Sequence, residues 1–297
     1  MDDVPFRGSE AVAAGRLTKA MLRGPRFRRL FPDVYVAAEA EDSAVLRARA
    51  GFLLVERCGG VAAGWAAAEL LGRSCGPRNA PAEVLVPGHV RAHAGLVVHR
   101  GTTGPGEVWR DGGWAATSPL RTAWDLARRL DLVEAVVAVD ALARRKRRQP
   151  APFVPGDLLR LREARPGARG SARLDRVVAL ADARAESPME TRMRLLLVLA
   201  GLPAPAVQHE IRTRDGRRVR FDLAYPEALL AIEYDGDEHD DTLDRQRDAR
   251  TAQLGWHTLR LLGADVLRTP QATVRLVAGL RSERARYLER DIRAVGS

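Results

Sequence analysis

The fold of the C-terminal part of the chain is decided by residues 207–235, which read VQHEIRTRDGRRVRFDLAYPEALLAIEYD. Residues 207–213 alternate between apolar and polar side chains, which predicts a strand. An Asp-Gly pair then forms a typical hairpin turn, and residues 217–225 are the predicted return strand. A Pro-Glu pair turns the chain again, and the more apolar residues 229–235 are predicted to form a third strand.

Helices are predicted on both sides of these strands. One helix begins at Ser187 and ends at Gly201, and residues 241–254 form the next. A fourth strand is predicted over residues 256–261, and a long closing helix over residues 271–290. The resulting order is α-β-β-β-α-β-α, so the predicted fold class is α/β with a mixed sheet.

Acidic residues interrupt the apolar strands. Residues i and i+2 of a strand share a face, so Glu233 and Asp235 are predicted to point the same way. Asp222 lies in the neighbouring strand, and Phe221 and Leu223 are expected on the face opposite to it. Acids inside apolar strands are costly unless they bind cations or hydrogen-bond donors. We therefore expect these three carboxylates to bind Mg²⁺ or Mn²⁺, which is the chemistry of a metal-dependent nuclease.

Residues 187–280 carry five short motifs: Ser-Pro-Met-Glu ending at Glu190, Phe-Asp-Leu-Ala around Asp222, IEYDGDEH at 232–239, DRQRD at 244–248 and GWHTLR at 255–260. Together they resemble the PD-(D/E)xK restriction-endonuclease-like superfamily, its very-short-patch-repair-like branch, and most closely the family called domain of unknown function 559. The resemblance implies a restriction-endonuclease-like core with a phosphodiesterase site. Asp222 and Glu233 would be metal ligands, and Glu190 would be an auxiliary ligand or would orient a metal-bound water.

The third position of the superfamily motif differs in this chain. A lysine usually stands two residues after the glutamate, but Asp235 stands there, and no lysine follows Lys146. Either Asp235 is a further metal ligand, or His239 serves as general base or phosphate contact. Arg247 and Asp248, on the next predicted helix, are candidates to complete the site, and Arg247 is also a candidate to contact nucleic acid.

Two of these acids also have purely structural interpretations. Ser187 and Glu190 form a capping box, which by itself explains the glutamate. Asp235 and Gly236 together are also a common turn.

The first 40 residues show the order helix, turn, helix and basic hairpin, which is typical of a winged helix. Arg26, Arg28 and Arg29 of this hairpin are candidate nucleic-acid contacts. A helical cap with solvated arginines explains the same pattern. The first 150 residues resemble actinobacterial proteins with an AbiEi-type antitoxin region, through residues 27–36 and the segment TSPLRTAWDLA at 117–127.

Four regions are predicted along the chain. A winged-helix-like segment spans residues 1–40, and a mixed α/β AbiEi-like region spans residues 41–149. Prolines and short helices mark residues 150–186 as a linker. The nuclease-like domain occupies residues 187–297.

Charge is distributed unevenly over the 297 residues. The net charge is +10, and all but two of the 48 basic residues are arginine. Residues before 187 contain 30 basic and 21 acidic side chains, whereas the remainder contains 18 and 17. An anionic partner, DNA first, is therefore expected for the N-terminal two-thirds.

Composition also excludes several classes. There is no run of about 18 apolar residues, so we expect no membrane span, and the N-terminus lacks the pattern of a secretory signal. The two cysteines form no zinc or disulfide pattern, which favours a cytoplasmic protein.

These observations favour a Mg²⁺-dependent DNA endonuclease or nickase with an N-terminal DNA-binding region. The alternative is a non-enzymatic DNA-binding regulator, such as an AbiEi-like antitoxin, in which the nuclease fold is a scaffold. A toxin or a repair protein is a candidate partner.

Overall fold

The computed structural model describes residues 3–146, 149–236 and 241–295. The chain divides into two compact units, Met1–Ala179 and Leu180–Ser297. Each unit combines helices with a sheet, and two of the three sheets contain both parallel and antiparallel pairs. The predicted mixed α/β class is therefore confirmed.

The finer boundaries after residues 40, 149 and 186 stay a prediction. Within the part of the chain that the structure describes, no helix has both the length and the apolar character needed to cross a membrane.

The first unit begins with β1 (Phe6–Arg7), α1 (Gly8–Ala13), α2 (Lys19–Arg23), β2 (Phe27–Phe31) and β3 (Val34–Ala37). The three strands form an antiparallel sheet in the order β1-β3-β2, so the basic hairpin is present. Its turn residue Asp33 has a φ of +60°. The Asp33 carboxylate accepts hydrogen bonds from the backbone N–H and the hydroxyl of Ser9, which ties the turn to α1.

The rest of the first unit surrounds a five-stranded sheet. Its elements are α3 (Ala44–Val55), β4 (Val61–Ala62), α4 (Gly64–Leu70), β5 (Ala82–Val86), β6 (Leu96–Arg100), β7 (Val108–Asp111), β8 (Trp114–Thr117), α5 (Pro119–Arg129), α6 (Leu132–Ala143) and α7 (Asp157–Glu163), followed by α8 (Leu174–Leu180). The strand order is β6-β5-β4-β8-β7. Helices α3, α5 and α6 begin where Ser43, Ser118 and Asp131 accept a backbone N–H three residues ahead.

The second unit contains α9 (Pro188–Leu199), β9 (Ala206–Arg212), β10 (Arg218–Tyr225), β11 (Leu230–Tyr234), α10 (Asp241–Ala252), β12 (His257–Leu261), α11 (Gly263–Leu267) and α12 (Pro270–Val295). The observed order matches the prediction apart from the short helix α11. The sheet order is β12-β11-β10-β9. Strands β9, β10 and β11 pair antiparallel, and β12 pairs parallel to β11 after the α10 crossover.

The two faces of this sheet carry separate cores. Leu230 and Ile232 of β11 belong to a core that includes Met193 of α9. Ala231, which lies between them, belongs to a second core with Trp256. Glu233 follows the same alternation and lies on the Trp256 side, above α10.

The predicted placement of the neighbours of Asp222 was wrong. Leu223 packs in the core with Ile232, whereas Phe221 packs against the ring of Trp256 in the other core. The two apolar side chains therefore lie on opposite faces, and the alternation of β10 breaks at Asp222. The strand pairing changes at the same residue: β9 and β10 pair at Phe221–His209 and at Leu223–Val207, and the Asp222 side chain accepts the backbone N–H of Tyr234.

Candidate functional site

Strands β10 and β11 stop pairing at Asp222. Their register continues from Tyr225 as far as Leu223, which lies opposite Ile232. Beyond that pair, the backbone N–H of Tyr234 donates to Oδ2 of Asp222 at 3.0 Å. A side-chain carboxylate thus replaces a backbone carbonyl, and a pocket opens beside this point.

The pocket has a volume of about 460 Å³. Its charged lining residues are Arg217, Arg218, Arg220, Asp222, Glu233, Arg247, Arg250 and Arg260. Guanidinium groups match the geometry of carboxylates and phosphates, so the pocket is suited to an anion that carries oxygens in a plane or a tetrahedron.

Asp222 is half-buried at the opening of the pocket. Burial raises the pKa of its carboxyl group above the ordinary value, although the Tyr234 N–H and the charge of Arg247 act in the opposite direction.

Glu233 is only 7% exposed. Nη1 of Arg247 donates to Oε2 of Glu233 at 2.9 Å, and Nη2 of Arg247 donates to Oε1. A second guanidinium, that of Arg260, lies 3.9 Å away. Burial nevertheless raises the pKa of Glu233, and the charge of Asp222 raises it further against the effect of Arg247.

Glu190 lies on α9 and is 6% exposed. Its Oε2 accepts two hydrogen bonds, from the backbone N–H of Glu186 and from Nε2 of Gln208, both at 2.8 Å. Burial raises the pKa of Glu190, and the charge of Asp222 is the next cause. The Ser187 half of the predicted capping box is present, because the Ser187 hydroxyl accepts the Glu190 N–H at 3.2 Å, while the Glu190 carboxylate accepts the N–H of Glu186. The structural and the functional interpretations of Glu190 are therefore compatible.

Asp222 is electrostatically coupled to the two buried glutamates. Its negative charge raises the pKa values of both Glu190 and Glu233. Each of these carboxyl groups would be easier to ionise beside an added positive charge.

Two predicted site residues are placed differently. The backbone N–H of Asp235 donates to the carbonyl of Leu261 at 2.9 Å, so this residue continues the pairing of β11 with β12. Asp235 is not among the described residues that line the pocket. His239 lies outside the described residues.

The structure also brings in residues that the sequence did not single out. Gln208 positions Glu190, and its left-handed backbone, with a φ of +53°, lies where the pairing of β9 with β10 skips Asp222. Arg260 contacts Asp248 at 2.6 and 2.9 Å. No local pattern marks these residues, because their partners are 12 to 18 positions away in the chain.

The candidate metal ligands suit a hard cation in their chemistry. Among the described residues, no three acidic, histidine or cysteine side chains are grouped so that they could hold a metal ion. Asp222 and Glu233 still offer carboxylate oxygens, which Mg²⁺ and Mn²⁺ prefer, on neighbouring strands. Their raised pKa values indicate that added positive charge would stabilise the ionised pair.

The three predicted nucleic-acid contacts of the hairpin differ in their surroundings. Arg28 donates to the carbonyl of Ala40 at 2.9 Å, and Arg29 donates to the carbonyl of Phe31 at 3.2 Å. Arg26 is exposed. Arg28 thus supports the hairpin, and Arg26 is the best placed of the three to meet a ligand.

Comparison with known proteins found two relatives. No family model matches the chain, and no solved structure matches it. The relatives are Uncharacterized protein MT2308 and Uncharacterized protein Rv2248, from the CDC 1551 / Oshkosh and ATCC 25618 / H37Rv strains of Mycobacterium tuberculosis. Each is 33% identical to this chain over 213 residues, which cover 70% of this chain and 73% of the relative.

Proposed function

The chain belongs to the same family as these two mycobacterial proteins, and we propose that it is a Mg²⁺- or Mn²⁺-dependent DNA endonuclease or nickase. The observation that carries the proposal is the pair of carboxylates on neighbouring strands, Asp222 and Glu233, with Glu190 coupled electrostatically to Asp222. These carboxylates come from three elements, and Asp222 raises the pKa of both glutamates. Two of them line a pocket rich in arginine.

The order of elements supports the same proposal. The four-stranded sheet with α9 before it and α10 in the crossover agrees with the core expected from the PD-(D/E)xK resemblance. The acids at 190, 222 and 233 occupy the motif positions that the resemblance assigns to such a site.

Each acid has a separate role in the proposed site. Asp222 and Glu233 would hold the divalent cation, which would supply acidity to a water and positive charge to a phosphate. Glu190 orients a water through Oε1, because its Oε2 is held by Gln208 and by the Glu186 N–H.

The arginines at the mouth of the pocket bind the substrate backbone. Arg220 pairs with Glu186 at 2.7 Å and Arg218 pairs with Glu210 at 3.4 Å, and all four side chains are about half exposed or more. Exposed ion pairs contribute little, about 0 to 1 kcal/mol. A phosphate can therefore replace the acid partner at small cost and gain bidentate contacts.

The first unit supplies the affinity for nucleic acid. Residues before 187, which include the whole first unit, carry an excess of nine positive charges that favours a polyanion, and the exposed Arg26 lies at the winged-helix-like hairpin.

A plasmid assay tests the proposal. The full chain is incubated with supercoiled DNA and Mg²⁺ or Mn²⁺, and nicked and linear products are separated on a gel. We expect products with the wild type and none above background with the Asp222→Asn, Glu233→Gln double variant. Glu227→Gln, an acid-to-amide change at an exposed residue that pairs with Arg281, is the matched control and should keep the activity. Equal background from the wild type and the double variant would overturn the proposal.

A second candidate is a metal-independent DNA-binding regulator of the AbiEi-like antitoxin type. The specific observation in its favour is that Arg247 engages both oxygens of Glu233, so this carboxylate already has a cationic partner. It predicts sequence-selective, salt-sensitive DNA binding that is the same in EDTA and in Mg²⁺. A mobility-shift titration in both buffers distinguishes it, because a cation-dependent change in affinity would contradict it.

A further inference from the structure

Arg247 holds Glu233 more completely than any other described residue does. Its two terminal nitrogens donate to the two carboxylate oxygens, and Nη2 also donates to the carbonyl of Arg220. The guanidinium carbon lies 5.7 Å from the centre of the Phe221 ring. The guanidinium is therefore fixed in one place, in the plane where a carboxylate accepts its best hydrogen bonds.

A divalent cation at Glu233 needs the same oxygens. It also meets the full positive charge of Arg247 within a few ångströms, in surroundings where Glu233 is 7% exposed and screening by water is weak. A cation on these oxygens would therefore compete with Arg247 for the acceptor positions of Glu233 and would be repelled by its charge.

Arg260 differs from Arg247 in this respect. It is anchored by two hydrogen bonds to Asp248 and lies 3.9 Å from Glu233, so it can stay in place when Glu233 changes its partner. Arg247, by contrast, forms its ion pair with Glu233 itself. Its side chain is 28% exposed and lines the pocket.

We propose that Arg247 and a divalent cation exclude each other at Glu233, and that the released Arg247 then binds a phosphate oxygen of the substrate. The inference rests on the proposed nuclease function. The chain has no lysine after Lys146, so the usual motif lysine is missing from this site. In the proposal the guanidinium of Arg247 supplies the positive charge instead, and it reaches the phosphate only when the divalent ion is bound. One residue thereby couples metal binding to substrate binding.

Metal binding tests the first half of the proposal. Mn²⁺ is titrated into the full chain and followed by electron paramagnetic resonance of the free ion. We expect Arg247→Gln to bind Mn²⁺ about tenfold more tightly than the wild type, which corresponds to about 1.4 kcal/mol. Arg250→Gln is the matched control, because it removes the same charge from the same helix and pocket, but from a residue that pairs with Asp215. It should change the affinity by less than about threefold.

The outcomes separate this proposal from the nuclease proposal. If the wild type binds Mn²⁺ and Arg247→Gln binds it equally or more weakly, the exclusion is wrong while the metal site stands. If neither protein binds Mn²⁺, both proposals fall. Arg247→Lys keeps the charge but loses the bidentate contact, so its Mn²⁺ affinity should lie between those of the wild type and Arg247→Gln. This variant also controls for a folding defect of Arg247→Gln, which circular dichroism checks directly.

DNA binding tests the second half. The affinity for a short duplex is measured in Ca²⁺, a hard cation with the same oxygen ligands, and in EDTA. Arg247→Gln should weaken binding about tenfold in Ca²⁺ and less than about twofold in EDTA. An equal loss in both buffers would overturn the conditional role of Arg247.

Discussion

The ion pair between Arg247 and Glu233 should contribute measurably to the stability of the second unit. We expect Arg247→Gln to lower the free energy of opening of β10 and β11 by about 2 kcal/mol when no divalent cation is present. The reason is that Glu233 is left buried with one distant cation, Arg260 at 3.9 Å, in place of two hydrogen-bonded nitrogens.

The magnitude follows from the geometry. Two unit charges about 4 Å apart attract each other by about 4 kcal/mol at an effective dielectric constant of about 20. Removing one partner of a fully buried pair costs about 3 to 5 kcal/mol. Because the Arg247 side chain is 28% exposed and Arg260 remains, we take about half of that range.

Native-state hydrogen exchange of the full chain, read by mass spectrometry on peptides from β10 and β11, measures this quantity. A loss of about 2 kcal/mol accelerates exchange about thirtyfold, since about 1.36 kcal/mol corresponds to a factor of ten. Glu233→Gln and the double variant complete a cycle, and the double variant should recover at least half of the loss. Arg250→Gln, whose partner Asp215 is about half exposed, should cost no more than about 0.5 kcal/mol.

The effect also depends on pH with a defined sign. Arg247 stabilises only the ionised form of Glu233, so the loss in Arg247→Gln should shrink as the pH falls through the raised pKa of this carboxyl group. A coupling below about 0.5 kcal/mol at neutral pH, or a loss that is the same at low pH, would refute this account of the pair.

Three further predictions concern single residues. Burial and a neighbouring charge raise the pKa of Glu190, so its ionisation costs stability as the pH rises above the ordinary carboxyl range. Glu190→Gln should therefore raise the thermal midpoint by a few degrees at about pH 7.5 and leave it unchanged at about pH 4. A lower midpoint of the variant at about pH 7.5 would contradict this. Gly64 has a φ of +52° and an added Cβ there would clash with the carboxylate of buried Glu83, whereas Gly15 has a φ of +67° and open space around it. Gly64→Ala should therefore cost about 3 kcal/mol and Gly15→Ala about 1 kcal/mol, measured by hydrogen exchange of the adjoining helices. If the hairpin contacts DNA, Arg26→Ala should reduce the slope of log DNA affinity against log salt concentration by about 1 and leave the melting temperature of the protein unchanged. Arg28→Ala removes the hydrogen bond to the Ala40 carbonyl and should lower the melting temperature.

Local signals in the sequence were enough to predict most elements of the second unit. Ser187 begins α9, the Asp-Gly pair turns β9 into β10, and Gly255 ends the segment before β12. These features depend on residues within a few positions of each other, so they can be read without knowledge of the tertiary structure.

The break at Asp222 could not be predicted in this way. Strict alternation places Phe221 and Leu223 on one face, but the Asp222 carboxylate takes the Tyr234 N–H and the two side chains enter different cores. The hydrogen bond joins a side chain to a backbone group 12 residues away in the chain. The alternation of apolar and polar residues along one strand contains no information about such a contact.

The sequence by itself determined the order of the elements, the mixed α/β class, and Asp222 and Glu233 as acids that are costly to bury in apolar strands; it also grouped Asp235 with them and left a cap as one explanation of Glu190. Only the tertiary structure decided which partners they have: Gln208 for Glu190, the Tyr234 N–H for Asp222 and Arg247 for Glu233. The physical reason is that propensity, capping and turn formation act over a few residues, whereas the desolvation of a carboxylate is offset by whichever donor the packed chain brings within hydrogen-bond distance.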